Sequence, residues 1–375
     1  MSWWWCVISK VAVIAIVALV AITLTPVITS VRTVDGQLPE NRQDLNATEI
    51  DGTTPLEVST ALALTKEYET GFVQANGITI AYESFGPKDQ EAILLIAGTG
   101  SQLTFWPREL IDALVQSGYR VITFDNRDVG LSTKFTSAGY PDSVAITEAL
   151  QENRPAPLPY TLGDMANDTV GLLDALNIQK AHMVGVSMGG NIAQLVAIDH
   201  LARTFSLTLF SSDSGNPGLA DVAGLEVFAE VGAPPAEGDI NGFVEYQVNI
   251  SKALGSPGYP TDEEILREFW MRDVRRSYEP AGLTRQATVS LIGSLEGDYR
   301  YSNLKHIKVP TVVLQGTDDP LVSVESGQDL AANIPGADLF IIPGLGHDMP
   351  VQLVPSFIDA IITAAERSAA IPQIQ

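Results

Sequence analysis

The most informative segment of the chain is His182-Met183-Val184-Gly185-Val186-Ser187-Met188-Gly189-Gly190. Its first five residues form a short apolar run typical of a buried strand, and a helix-compatible segment begins at Asn191. Between them lies the pattern G-x-S-x-G, in which a serine at a sharp strand-to-helix turn adopts a strained backbone and the glycines let neighbouring chains pass. The pattern alone is weak evidence. Its position between a strand and a helix predicts that Ser187 is a nucleophile.

Short apolar runs bounded by turn residues recur on both sides of this segment and predict further buried strands. They are Ala92–Ala97, Val121–Phe124, Leu207–Phe210, Thr311–Leu314 and Leu339–Ile342. Helix-compatible segments lie between most of them, at Pro107–Ser117, Met165–Leu176, Asn191–His200 and Val324–Asn333. Near the start of this region, two β-like stretches flank Asn76-Gly77, a pair suited to a tight hairpin turn. Alternating strands and helices predict an α/β fold with a doubly wound, mostly parallel sheet.

A serine is a poor nucleophile by itself, so a base must take its proton and an acid must orient that base. Of the four histidines, His347 follows the last predicted strand in a glycine-containing loop, which allows its ring to reach the carboxyl edge of the sheet. For His182, His200 and His306, structural roles fit their positions better. His347 is therefore the predicted base.

The acid should follow a strand that lies between the serine and the histidine. The turn Gly316-Thr317-Asp318-Asp319-Pro320 ends the predicted strand Thr311–Leu314 and offers two carboxylates at the same edge. Asp319 is preferred because the proline after it favours an extended backbone, whereas Asp318 is expected to face solvent or cap the turn. Asp213, just beyond the preceding predicted strand, stays open as an alternative, since triads are defined by geometry.

Acyl transfer also needs N–H donors for the oxyanion that develops in the transition state. The backbone N–H of Met188, the residue after the nucleophile, is expected to be one donor. The other should come from the loop Gly98-Thr99-Gly100, which follows the first buried strand. Within that loop the N–H of Thr99 is favoured, with Gly100 as substitute.

Residues 214–303 contain no strand-like run, and large apolar side chains are scattered through helix-compatible sequence. These side chains are Phe228, Phe243, Tyr246, Phe269, Trp270, Met271 and Tyr278. We predict an inserted helical cap that walls an apolar pocket and selects the substrate without supplying catalytic groups, although most of these side chains should form the insert's own core. The α/β core then comprises residues 67–213 and 304–375, preceded by a membrane anchor or signal peptide at 1–30 and a polar linker at 31–66.

The amino terminus is predicted to lie outside the fold. The run from Val11 to Ile28 is almost entirely apolar, near the lower limit of about 17–25 residues for a helix that spans a bilayer. Trp3-Trp4-Trp5 and Lys10 precede it, where interfacial anchors lie. No A-x-A cleavage site follows, which favours a retained anchor with the catalytic part extracytoplasmic. A cleaved signal peptide and secretion are the alternative.

Composition excludes several classes of function. The formal net charge of −23 would repel nucleic acid, and the single cysteine, Cys6, cannot form an internal disulfide. There is no H-E-x-x-H motif, phosphate-binding P-loop or clustered Cys/His pattern, so we expect no metal and no cofactor. The expected partners are a small-molecule ester and, through the N-terminal segment, a membrane.

The segment Gly98-Thr99-Gly100-Ser101-Gln102-Leu103 offers a competing interpretation. A glycine-rich turn after a strand, with Asp125 ending the next strand, is also typical of oxidoreductases that bind a dinucleotide. Leu103, however, takes the place of the third glycine or alanine, where close helix–strand packing excludes a large side chain. This interpretation also leaves Ser187 and His347 unexplained.

Four separated segments resemble the α/β-hydrolase superfamily and, within it, the aclacinomycin methylesterase-type serine esterases. They are Gly98-Thr99-Gly100 with Trp106-Pro107, the turn Phe124–Thr133, the segment Gly185–Gly190, and Gly316–Pro320 with Gly346-His347-Asp348. The resemblance covers about Tyr68 to Ala365 apart from the cap, and it implies an α/β-hydrolase fold with Asp319 as the acid. One departure is Ala97-Gly98, where many relatives carry His-Gly.

The sequence thus predicts a serine carboxylesterase that works through an acyl-enzyme, with Ser187 as nucleophile, His347 as general base and acid, and Asp319 as orienting acid. Thioester, lactone or small-amide hydrolysis by the same fold is the alternative, and a catalytically silent binding protein is a minor one. Epoxide hydrolases and haloalkane dehalogenases of similar architecture carry an aspartate at the elbow, so Ser187 argues against both.

If residues 1–30 anchor the protein, the full-length chain should stay in the membrane pellet after washing with alkaline carbonate. A spanning helix resists this extraction, whereas proteins bound only at the surface are released. Immunoblots of pellet and supernatant provide the measurement. Recovery of a soluble species whose amino terminus lies near Ser30 would instead establish a cleaved signal peptide.

Overall fold

The computed structural model describes residues 68–219, 226–295 and 298–370. An eight-stranded sheet lies at its centre, in the order β1-β2-β4-β3-β5-β6-β7-β8. The strands are β1 Tyr68–Ala75, β2 Ile78–Phe85, β3 Ala92–Ile96, β4 Arg120–Phe124, β5 Ala181–Val186, β6 Thr204–Phe210, β7 Thr311–Gly316 and β8 Asp338–Ile342. The pairs β1–β2 and β2–β4 are antiparallel, and the other neighbours are parallel. The prediction of a mostly parallel sheet is therefore confirmed.

The sheet begins with the predicted hairpin. Ala75 of β1 pairs with Ile78 of β2, which leaves Asn76 and Gly77 as a two-residue turn. Their φ angles are 48° and 78°, in the left-handed region that asparagine and glycine tolerate. The dipeptide thus sets the register of the first two strands.

Helices connect most of the strands. They are α1 Arg108–Gln116, α2 Ser143–Gln151, α3 Leu162–Ala175, α4 Met188–Asp199, α5 Glu226–Val231, α6 Ile240–Leu254, α7 Glu263–Arg276, α8 Pro280–Leu295, α9 Asp298–Asn303, α10 Val324–Asn333 and α11 Val354–Ala369. Short 3-10 helices lie at Leu103–Phe105, Thr136–Ala138, Leu201–Arg203, Leu304–His306 and Val351–Leu353. The four segments predicted as helices correspond to α1, α3, α4 and α10.

The strand β3 shows how both faces of the sheet are buried. Leu94 and Ile96 belong to the core on one face, and Ile93 and Leu95 belong to the core on the other. All four side chains are fully buried. Burial of each contributes about 1.5–3 kcal/mol relative to exposure. Because helices cover both faces of the sheet, every residue of this strand is apolar, and the strand could therefore be predicted from the sequence.

Residues 214–303, called the cap interval below, are helical wherever the structure describes secondary structure in them, from α5 to α9. Val244, Val248 and Val274 form a small core there, against which Phe243, Trp270, Met271 and Tyr278 pack. This arrangement agrees with the expectation that many of the large side chains fill the insert's own interior. Assignment of the interval as a separate cap domain stays a prediction.

Buried ion pairs at the turn after β4 join the sheet to the cap interval. Asp125 pairs with Arg276 of α7 at 2.8 Å, and Asp128 pairs with Arg285 of α8 at 2.7 Å. Removing one partner of a buried pair typically costs about 3–5 kcal/mol, because the other charge is left uncompensated. The turn therefore determines where the cap interval lies on the sheet.

The predicted anchor, Val11 to Ile28, and the predicted linker at 31–66 lie outside the described residues. Of the helices that the structure does describe, none combines the length and the apolar character needed to cross a bilayer. Both assignments at the amino terminus stay predictions.

Candidate active site

Ser187 lies between β5 and α4 with φ of 53° and ψ of −124°. Non-glycine residues rarely adopt this backbone conformation, and it persists only where the surroundings enforce it. Close packing does so here. A side chain on Gly185 would overlap the backbone of Gly189, and one on Gly189 would overlap the carbonyl oxygen of Ile96. The local geometry is that of a nucleophile elbow.

The side chains of Ser187, His347 and Asp319 form one continuous chain of hydrogen bonds. His347 Nε2 lies 3.1 Å from Ser187 Oγ, and His347 Nδ1 lies 2.8 Å from Asp319 Oδ2 and 3.0 Å from Asp319 Oδ1. The three residues follow β5, β8 and β7, which are parallel and end at the same edge of the sheet. The structure thus brings together the three predicted residues from distant parts of the sequence.

The carboxylate of Asp319 is held by its own turn. Its Oδ1 accepts the backbone N–H groups of Leu321 and Val322, both at 2.9 Å, and its Oδ2 accepts Gln315 Nε2 at 3.2 Å. Gln315 lies in β7, and its supporting role was not predicted. These donors fix the carboxylate in the orientation that meets the His347 ring.

Pairing outweighs burial in setting the pKa values of the two ionisable partners. Burial would raise the pKa of Asp319, but the charge and hydrogen bond of His347 and the N–H groups of Val322 and Leu321 lower it below its ordinary value. Burial would lower the pKa of His347, but Asp319 and, to a smaller extent, Asp348 raise it above 6.5. Both shifts favour the ionised carboxylate of Asp319 and the protonated ring of His347.

Asp318, the neighbouring carboxylate, has a different environment. It is exposed, and its carboxylate accepts the N–H of Gly344 at 3.1 Å and the hydroxyl of Thr317. These bonds brace the turn that precedes His347.

Asp213, the alternative acid, is bonded to Arg300 Nη2 at 2.6 Å and to Asn191 Nδ2 at 3.0 Å. Burial opposes its ionisation, but the charge of Arg300 and the hydrogen bonds from Asn191, Arg300 and the Gly215 N–H together lower the pKa of Asp213. Within the described part of the chain its carboxylate makes no hydrogen bond to His347. The geometry therefore favours Asp319.

The other histidines bond to side chains away from Ser187. His182 Nδ1 lies 2.9 Å from Ser206 Oγ, His200 Nε2 lies 3.2 Å from Asn167 Oδ1, and His306 Nδ1 lies 3.0 Å from Asn303 Oδ1. These contacts fit structural roles.

The two predicted oxyanion donors flank the nucleophile. A Cβ built on Gly98 would lie 3.3 Å from Cβ of Ser187, so this loop passes the serine at van der Waals distance. Met188 is the first residue of α4, and the N–H groups of a first helical turn have no acceptor within their helix. Both backbone segments lie beside Ser187, and the roles of Thr99 and Met188 as oxyanion donors stay predictions.

Within the loop, Thr99 and Gly100 differ in their partners. The N–H of Gly100 donates to Gln286 Oε1 of α8 at 2.7 Å. The N–H of Thr99 donates to no acceptor among the described residues. Thr99 is thus the donor of the two that is free to meet a substrate.

The cap interval also contacts the segment that carries the histidine. The N–H of His347 donates to the carbonyl oxygen of Leu254 at 2.8 Å, and the N–H of Gly346 donates to Ser256 Oγ at 2.8 Å. The Ser256 hydroxyl also bonds to the carboxylate of Asp348. Ser256 was not predicted from the sequence, because no local pattern relates it to Asp348, which lies 92 positions away.

A cavity of about 1390 Å³ lies over Ser187 and His347. Its lining is mainly apolar and includes residues of the cap interval. The aromatic residues among them are Phe228, Phe243, Tyr246, Phe269, Trp270 and Tyr278. Phe243, Trp270 and Tyr278 therefore serve both the insert's core and the cavity wall.

The dinucleotide interpretation finds no support at Asp125. Its side chain has no exposed surface, and its carboxylate accepts the N–H groups of Leu103 at 2.8 Å and Leu131 at 2.7 Å besides pairing with Arg276. The carboxylate is thus occupied within the protein and is closed to a ribose. Among the described residues, no cluster of three or more His, Cys, Asp or Glu side chains is arranged to hold a metal ion.

A serine at a strained turn, hydrogen-bonded to a histidine at the carboxyl edge of a mostly parallel sheet, is the arrangement of a hydrolase. Residues 91–352 match the family described as alpha/beta hydrolase fold, and the chain belongs to that family. This membership confirms the resemblance carried by the four sequence segments. The protein is an enzyme of the α/β-hydrolase class.

The chain is similar to several curated hydrolases and to solved hydrolase structures. Rhodomycin D methylesterase DnrP from Streptomyces peucetius is 28% identical over 320 residues, covering 80% of this chain and 99% of that protein. The 3-oxoadipate enol-lactonase 2 from Acinetobacter baylyi is 25% identical over 296 residues, covering 78% and 95%. Est816, described as an N-acyl homoserine lactone degrading enzyme, superposes with a TM-score of 0.56 at 25% identity, covering 78% of this chain and 99% of that one. The chain is thus similar to both esterases and lactonases.

The Asp348→Asn variant should extend activity to lower pH. His347 must be neutral to accept a proton, so kcat/KM should fall as the pH falls through the pKa of His347. The charge of Asp348 helps to raise that pKa, and asparagine removes the charge while it can still accept the Ser256 hydroxyl. The acid limb of the kcat/KM profile should therefore move to lower pH.

Asp359→Asn, at an exposed position of α11 that does not line the cavity, is the matched control because it removes the same charge. Its acid limb should coincide with that of the wild type. An acid limb unchanged in Asp348→Asn would show that Asp348 does not act on His347.

Proposed function

We propose that this hydrolase cleaves a carboxylic ester through an acyl-enzyme, with Ser187 as the nucleophile, His347 as general base and acid, and Asp319 as the orienting acid. The observation that carries the proposal is the unbroken hydrogen-bond chain from Ser187 Oγ, through both ring nitrogens of His347, to Asp319. Relatives named as a methylesterase and as lactonases support cleavage of an acyl–oxygen bond.

In acylation, Ser187 Oγ attacks the ester carbonyl carbon while His347 Nε2 takes the hydroxyl proton. The ring keeps the proton on Nδ1 and donates it in a hydrogen bond to Asp319, whose negative charge stabilises the imidazolium. The carbonyl oxygen becomes an oxyanion that accepts the N–H groups of Thr99 and Met188. Collapse of the tetrahedral intermediate breaks the bond to the alkoxy oxygen, which takes the proton from Nε2 and leaves as the alcohol.

In deacylation, a water molecule takes the place of the alcohol. His347 removes one proton from the water as the water attacks the acyl carbon. A second tetrahedral intermediate forms, and its oxyanion accepts the same two N–H groups. Its collapse breaks the bond to Ser187 Oγ, which recovers its proton from His347. The carboxylic acid leaves, and one water has been consumed for each ester cleaved.

The size and lining of the cavity favour an ester that carries a bulky, mainly apolar group. Ligand pockets usually occupy about 300–1,000 Å³, and this cavity exceeds that range at about 1390 Å³. A small ester would leave most of the aromatic wall in contact with water. Each additional apolar group of a substrate that packs against such a wall contributes roughly 1–3 kcal/mol to discrimination between substrates.

Lactone hydrolysis is the second candidate, favoured by the relative named as an enol-lactonase and by the solved structure described as an N-acyl homoserine lactone degrading enzyme. The same attack by Ser187 would open the ring, and the alkoxy group would stay attached to the acyl chain. The two candidates separate when kcat/KM is measured for an acyl lactone and for a linear methyl ester of matched chain length. A preference of about tenfold or more for either substrate decides between them.

Ser187→Ala should abolish both ester turnover and covalent labelling by a fluorophosphonate, because both need the same hydroxyl. Intact-protein mass spectrometry measures the adduct, and turnover is followed with p-nitrophenyl esters of graded chain length. Ser206→Ala, a buried serine of β6 bonded to His182, is the control and should label like the wild type. Stoichiometric labelling of the Ser187→Ala protein would mean that another residue is the nucleophile.

Asp319→Asn should lower turnover by about 10⁴, because an amide no longer holds His347 in the productive tautomer. Asp318→Asn should lose far less, since that carboxylate braces an exposed turn. Asp213→Asn should mainly lower the melting temperature, because it leaves the buried Arg300 without its ionic partner. A larger kinetic loss in Asp213→Asn than in Asp319→Asn would reassign the acid.

A further inference from the structure

Gln286 is a fully buried residue of α8, and its side-chain amide is bonded at both ends to backbone. Its Oε1 accepts the N–H of Gly100 at 2.7 Å, and its Nε2 donates to the carbonyl oxygen of Arg127. A backbone N–H can only donate and a backbone carbonyl can only accept, so these partners determine the orientation of the amide. Gln286 therefore connects the loop beside the nucleophile to the turn after β4.

The loop that Gln286 holds is a tight turn, in which the N–H of Ser101 donates to the carbonyl oxygen of Gly98 at 3.2 Å. Gly98 and Gly100 flank Thr99, and Gly100 has φ of 70°, so the backbone on either side of Thr99 is intrinsically free to rotate. The backbone just before the loop is held by Asn126, whose Nδ2 donates to the carbonyl oxygen of Ala97 at 3.1 Å. On the other side of Thr99, the side chain of Gln286 holds the N–H of Gly100 within the turn.

Residues farther along the loop are also held by the cap interval. Gln102 Nε2 donates to the carbonyl oxygen of Asp273 at 2.7 Å, and Gln102 Oε1 accepts Arg276 Nη1 at 2.6 Å. Thr104 Oγ1 donates to the carboxylate of Asp273 at 2.7 Å. These contacts fix the outer part of the loop on α7, while Gln286 of α8 acts at the residue next to Thr99.

We propose that Gln286 is a positioning residue for catalysis, which orients the Thr99 N–H toward the oxyanion by holding Gly100. The inference rests on the proposed serine-hydrolase function and extends it to a helix of the cap interval. Gln286 does not touch the reacting atoms. Its bond to Gly100 also reserves that N–H, which leaves Thr99 as the donor on this side of the substrate.

A positioning role makes a specific prediction, because an oxyanion donor acts in the transition state and contributes little to ground-state binding. Gln286→Met keeps the length of the side chain but cannot accept the Gly100 N–H. It should lower kcat by about 10- to 100-fold on a p-nitrophenyl ester, somewhat less than the roughly 10²–10³ lost when a donor is removed outright, while KM stays within about twofold.

A pair of inhibitors separates this role from a merely structural one. A trifluoromethyl ketone adds to Ser187 Oγ, the hydroxyl proton passes to His347, and the carbonyl oxygen becomes an oxyanion. The corresponding secondary alcohol binds without forming a bond. In Gln286→Met the ketone should bind more weakly by the same factor as kcat falls, and the alcohol should bind as in the wild type. Gln286→Glu, which keeps an oxygen for the Gly100 N–H, should recover at least part of the ketone affinity.

Thr288→Val is the matched control, because Thr288 is a buried polar residue of the same helix whose hydroxyl donates to the Thr284 carbonyl oxygen of its own turn. It should leave kcat and both inhibitor affinities unchanged. If Gln286→Met does not fold, Gln286→Asn takes its place, since its amide ends one methylene short of Gly100 and the same split is expected.

Two results would overturn the inference: an unchanged kcat in the folded Gln286 variant, or equal losses for the ketone and the alcohol. A failure of the underlying function looks different. If Ser187 is not the nucleophile, the wild-type protein itself forms no adduct with the ketone and does not distinguish it from the alcohol.

Discussion

The positive φ of Ser187 is the constraint on which the rest of the site depends. Such a backbone costs about 1–3 kcal/mol, and it persists because the chain has no room to relax. Gly189 packs on the carbonyl oxygen of Ile96, and Gly98 lies against Ser187 itself. The buried strands β3 and β5 hold these contacts in register. The same packing therefore positions the Ser187 hydroxyl, starts α4 at Met188 and brings the neighbouring loop to the serine.

The acidic groups around the site are neutralised in two different ways. Asp125, Asp128 and Asp213 each pair with an arginine, namely Arg276, Arg285 and Arg300. A guanidinium stays charged at every accessible pH, so these pairs cannot exchange a proton and serve only to hold structure. Asp319 pairs with His347, whose imidazole can gain or lose a proton. Of these four carboxylates, Asp319 is the one bonded to a histidine, and its part in proton transfer belongs to the proposed mechanism.

Sequence reasoning worked where chemistry and local structure occupy the same short segment. The elbow around Ser187, the turn at Asp319 and the loop of His347 each follow an apolar strand, and parallel strands bring their ends to one edge. It failed where a contact joins distant segments without a local pattern. Gln286 lies 186 positions from Gly100, and a buried glutamine on a helix looks in sequence like any polar residue on a solvated face. Ser256 was missed for the same reason.

The loops beside Ser187 are hydrogen-bonded to three residues of the cap interval, Leu254, Ser256 and Gln286. These bonds limit how the substrate specificity of such an enzyme can change. An insertion that only walled a pocket could be exchanged between homologues as a unit. Here a grafted insertion would bring its own pocket but would not supply acceptors for the backbone N–H groups of Gly100 and His347. New substrate specificities should therefore arise by single substitutions among the cap-interval residues that line the cavity, while the helices that carry these residues stay unchanged.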